Sequence, residues 1–162
     1  MTRRRNLLIC LTTVIAVSAA SLLLNPPRSL SHCQIPCGIY DDEARFKTLA
    51  EDIGTVEKSM KMIKELSEAK RPNYNQIVRW IMNKDKHADQ MSEIATYYFL
   101  AQRIKPVGKG KGAAYDNYVA KLTLLHQIVL NAMKAKQTTD LSYVEKLRSA
   151  LAAFRTVYTH SH

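Results

Sequence analysis

Four runs of apolar residues at steps of three and four constrain this chain most, because that spacing lays one face of a helix against a core and does not fit the two-residue period of a strand. The first follows the acids Asp41, Asp42 and Glu43 and comprises Phe46, Leu49, Ile53, Val56, Met60, Ile63 and Leu66. Lys70 to Tyr74, with Pro72 and Asn73, breaks it. The second carries Ile77, Trp80, Ile81, Ala88, Met91, Ile94, Ala95 and Tyr98 to about Gln102, and the polar run Asn83 to Lys86 is where it could kink. The loop Pro106 to Gly112 leads to a third run of Tyr118, Leu122, Leu125, Val129 and Met133. Thr139 or Asp140 can cap a fourth, with Leu141, Val144, Leu147, Leu151, Phe154 and Tyr158 inward. Each stripe must be covered by the others, and the connections are short, so the prediction is an all-α four-helix bundle over residues 41–159. Its Met and aromatic residues are core side chains by this reading.

The segment before the bundle has another character. Arg3, Arg4 and Arg5 precede a largely apolar run from Leu7 to Leu24, and Ser29 and Ser31 put small residues at the third and first positions before a cut at His32. This reads as a secretory signal over residues 1–31, removed on export to a periplasm, an organelle lumen or the outside. The alternatives are a cut elsewhere, such as after Ala20, and a retained membrane anchor, since the run is close to the length of a span. Asn25, Pro26 and Pro27 end it abruptly. Cleavage at His32 would leave 131 of the 162 residues, one domain with a usable core, and would lower the formal charge from +10 to +6. Lys and Arg alternate with Asp and Glu along the helical runs, which marks solvated faces rather than a nucleic-acid surface. The excess of positive charge would steer a small anion inward.

Cys10 leaves with the signal, so Cys33 and Cys37 are the two mature cysteines. In an exported protein a disulfide between them is the plain expectation. Other cysteine chemistries fit less well. His32 stands where a lipoprotein cleavage box needs Gly or Ala, no Cys-x-x-Cys-His for haem is present, and a zinc site would lack partners. Gly108 to Gly112 lacks the spacing of a phosphate-binding loop. His87, His126, His160 and His162 are scattered, and read as surface or packing residues.

A cut before His32 changes the chemistry of His32-Cys33-Gln34-Ile35-Pro36-Cys37-Gly38-Ile39-Tyr40, because it frees an α-amine. That amine and the Cys33 amide nitrogen close one five-membered chelate ring, the Cys33 amide and thiolate a second, and Cys37 returns through the Pro36 turn. Nitrogen and thiolate donors of this kind suit Ni(II) or Cu(II), and the divalent affinity order makes copper a serious rival. The pattern His-Cys-x-x-Pro-Cys-Gly-x-Tyr resembles the nickel hook of nickel superoxide dismutases, and the helical domain after it has the length and layout of that family.

The resemblance implies one nickel ion per subunit. His32 would supply the amine and an axial imidazole, Cys33 an amide and a thiolate, Cys37 the second thiolate, and Tyr40 would line the approach of superoxide. It further implies Ni(III)/Ni(II) cycling, a homohexamer of bundles, and dependence on a nickel supply and a processing protease. Two features depart from the family. Lys47 and Thr48 stand where a Glu is expected to hold the histidine ring, and His87 falls near the position of an Arg. Tyr98 aligns with a second channel tyrosine only through gaps. Without the resemblance, the rival is a non-enzymatic exported bundle with a Cys33–Cys37 disulfide or a copper- or nickel-binding role.

Overall fold

The computed structural model describes residues 42–159. Among them stand four helices: α1 (Asp42–Glu68), α2 (Tyr74–Glu93), α3 (Ala113–Gln137) and α4 (Ser142–Thr159), with no strand. Side-chain pairs give their directions. Asp42 meets Arg103, Asp52 meets His87 and Ser59 meets Asn83, so numbers rise on one element as they fall on the other and α1 runs antiparallel to α2 and its continuation. Glu43 with Arg155 and Glu57 with Arg148 show the same for α1 and α4. The result is an up-down-up-down bundle, the expected solution for amphipathic helices joined by short loops.

The buried set follows the sequence stripes closely: Phe46, Leu49, Ile53, Val56, Met60 and Ile63 from α1, Ala88 and Met91 from α2, Leu125 from α3, and Val144, Leu147, Leu151, Phe154 and Tyr158 from α4. Phe46, Phe99, Phe154 and Tyr158 fill one end with ring centroids 4.9 to 5.7 Å apart. Each buried ring contributes heavily, and truncating such a residue to Ala costs about 3–5 kcal/mol.

Three expectations need correction. Ile81 is exposed and Ile77 and Trp80 are only partly buried, since Lys84 already sits at the α3–α4 connection and the part of α2 before it extends beyond the end of α3. Met133 and Leu141 also face outward, leaving Ile128, Ala132 and Ala135 to carry that part of the α3 seam. The α-helix is continuous through Asn83 to Lys86. Asn83 donates to Ser59 Oγ at 3.1 Å. Lys84 is buried and donates to the carbonyls of Ala135, Lys136 and Thr138 at 2.8, 2.5 and 3.3 Å, closing the C-terminus of α3, where carbonyls lack helical partners.

The irregularity falls later, where Ile94–Arg103 continues α2 as a π-helix. Ile104 N–H donates to Phe99 C=O, five residues back, at 2.9 Å. In an α-helix, positions five apart point about 140° away from each other; i→i+5 bonding brings them onto one face. Side chains cap two of the helix starts. Asn73 Oδ1 accepts from Gln76 N–H at 3.2 Å, and of the two candidates before α4 it is Asp140 whose carboxylate accepts from Ser142 N–H, at 2.9 Å. Gly112 enters α3 with φ +54°, a conformation that favours glycine.

Candidate metal centre

His32, Cys33, Cys37 and Tyr40 lie outside the described residues, as do the proposed signal, His160 and His162. Among the described residues no group of three or more His, Cys, Asp or Glu could hold a metal ion. The His32, Cys33 and Cys37 side chains, an imidazole and two thiols, are nitrogen and sulfur donors of the kind that suits nickel. No described helix is long and apolar enough to cross a membrane.

At the start of α1 the described residues gather a knot of hydrogen bonds around one carboxylate. Asp42, the first residue of α1, stands two positions after Tyr40. Its Oδ1 accepts from Tyr98 O–H at 2.5 Å, and its Oδ2 accepts from Tyr158 O–H and the Arg103 guanidinium, both at 2.7 Å. The π segment makes this possible: Tyr98 and Arg103 are five apart and reach the same carboxylate. Arg103 Nε also donates to Tyr158 Oη at 3.3 Å. Next to the knot, both Glu43 oxygens accept from Arg155 at 2.8 Å, and the Arg45 guanidinium lies 5.2 Å from the Tyr98 ring centroid.

The electrostatics follow from these contacts. Burial by itself would raise the Asp42 carboxyl, but the bonds from Arg103, Tyr98 and Tyr158 outweigh it and hold the group below its ordinary value. Burial, then the bond to Asp42 and its charge, push the Tyr98 phenol up to about 12, so it stays a donor at physiological pH. Burial and the Asp42 bond raise Tyr158 as well. Tyr98 is thus a buried anchor of α1 among the described residues, in contact with Phe99 and bonded to Asp42.

The expected ring-holding positions have other engagements. Lys47 is exposed, and Thr48 Oγ1 donates to Ala44 C=O at 2.9 Å within its own helix. His87 Nδ1 lies 2.6 Å from Asp52 Oδ1, ten residues along α1 from Asp42, or about 15 Å at the helical rise. In the sequence Asp42 is marked only as a helix-start acid, and nothing in the one-dimensional pattern marks the π segment that completes the knot.

The described residues form an all-α four-helix bundle with no metal cluster among them, and a short His/Cys segment precedes it in sequence. The family is shown directly. The family model for nickel-containing superoxide dismutase matches residues 27–162, which takes in both His32 to Tyr40 and the bundle, and the chain belongs to this family. Searches of curated proteins and of solved structures returned no match. The protein is accordingly a nickel-dependent oxidoreductase that acts on superoxide.

Proposed function

We propose that the metal centre forms from His32, Cys33 and Cys37 after the chain is cut between Ser31 and His32. The observation that carries this reading is the family match running through a segment with this donor set. The His32 α-amine, the Cys33 amide nitrogen and both thiolates hold the ion, and the His32 imidazole is the further donor. Nickel bound there supplies the Ni(III)/Ni(II) couple by which two superoxide ions and two protons become dioxygen and hydrogen peroxide. Tyr40, two residues before the Asp42 knot, lines the approach of superoxide. The excess of Lys and Arg draws the anion in, an effect that salt screens. The mature enzyme is exported and assembles as a homohexamer, and it depends on a nickel supply and a processing protease.

The decisive group is the free amine. In the uncut chain the His32 nitrogen is a peptide amide that must lose its proton to bind, and the amine that would anchor the ion beside the Cys33 amide is missing. A chain beginning at His32 is expected to bind about one nickel ion and dismutate superoxide. One carrying a single extra Ala before His32 should keep its helicity and lose most of its activity. Equal activity of the two would remove the amine from the ligand set, and with it the processing step.

A further inference from the structure

We propose that Asp42 is a positioning residue for the metal-binding segment, and that Tyr98, Arg103 and Tyr158 act through it. The proposal rests on the hook reading above and goes beyond the ligand set to what fixes that segment on the bundle. Covalent geometry limits the distance: two residues of extended chain span at most about 7 Å, and five about 17 Å. The Tyr40 Cα therefore lies within about 7 Å of the Asp42 Cα, and the Cys37 Cα within about 17 Å. Fixing Asp42 fixes the point from which both are measured.

The structure fixes it from two sides. Tyr98 and Arg103 come from the π segment and Tyr158 from α4, so one carboxylate ties the start of α1 to two other elements. Its side chain is largely shielded, at 20% exposure, and all three donors come from residues buried or partly buried. Beneath lie Phe46, Phe99 and Phe154, whose packing leaves the donors little freedom to turn. The geometry is that of an anchorage with both oxygens engaged, stronger than the macrodipole alone requires of an acid in a first turn.

The test is Asp42→Asn in the chain beginning at His32. An amide keeps the size and one acceptor oxygen, which can still take Tyr98, but it turns an NH2 toward Arg103 and Tyr158, two donors it cannot satisfy. Nickel content should stay near one ion per chain while the Ni(III) electron paramagnetic resonance spectrum shifts and kcat falls on the order of tenfold, as outer-shell changes do at metal sites. In the metal-free protein, amide hydrogen exchange over residues 42–46 should accelerate by a similar factor. Leu147→Ala, at the opposite end of the core, is the control: it lowers the melting temperature without moving the spectrum.

An unchanged spectrum, kcat and exchange rate in Asp42→Asn, beside an active wild type, would overturn the positioning role and leave the hook intact. A wild type that binds no nickel but shows faster exchange in Asp42→Asn would overturn the hook reading while the anchorage stood. A spectral shift of equal size in Leu147→Ala would reduce Asp42 to a general contributor to stability.

Discussion

Asp42 and Asp52 are carboxylates on the same helix, both withdrawn from water, and their surroundings act on them in opposite directions. Asp42 takes three hydrogen bonds, one from a guanidinium, and its carboxyl sits below the ordinary value. Asp52 is bonded to the His87 ring through Oδ1 alone, and its buried Oδ2 has no partner among the described residues. There burial outweighs the His87 bond and charge, and the carboxyl is raised. The difference shows that the number and charge of donors decide whether a buried acid fastens a structure or burdens it. The end with enough donors is the end at which the N-terminal segment enters.

Lys84 extends the comparison to a buried cation, and its removal should have the largest effect. Lys84→Ala strands three carbonyls at the C-terminus of α3 and should cost about 3 kcal/mol in urea unfolding, with nickel content unchanged. A loss near zero would mean that water replaces the ammonium freely.

Removing donors from Asp42 should make it resemble Asp52. Tyr98→Phe with Tyr158→Phe leaves Arg103 alone on the carboxylate and should cost about 2 kcal/mol, at roughly one per hydrogen bond. The pH dependence should change with it. In the wild type a lowered folded value means a contribution fully present above the ordinary value of 3.8 and lost as pH falls through the folded one; in the double variant that acid-side loss should move upward.

The smallest effect concerns Asp52, with the opposite sign. A raised carboxyl favours the folded state below the ordinary value of 3.8, and that advantage fades as pH rises through the folded value. Asp52→Asn keeps an acceptor for His87 and carries no charge, so its melting temperature relative to wild type should climb across that window. A difference that is flat with pH would show that His87 already balances the charge.

The bundle was legible because its stripes are local: Phe46, Leu49, Ile53 and Val56 announce a buried face whatever packs on it. The proposed donor segment is read from contiguous residues, His32 to Tyr40, which lie outside the described ones. The knot at Asp42 was not legible. Asp42, Tyr98 and Tyr158 lie far apart in sequence, and Arg103 reaches them only through a change of helical period that no stripe encodes. Lys84 was hidden for a like reason, since its partners are main-chain carbonyls some fifty residues away, which have no residue type to recognise. Ile81 and Met133 were misplaced because an apolar residue on the right face is buried only if a neighbouring helix extends that far.

In mechanical terms, the knot at Asp42 is a joint loaded in shear. A pull along the axis of α1 meets three bonds that cross to neighbouring elements, so they share the load instead of opening one after another. A force applied at the start of α1 is thereby spread over three elements of the bundle and does not peel the first turn of α1 from its end.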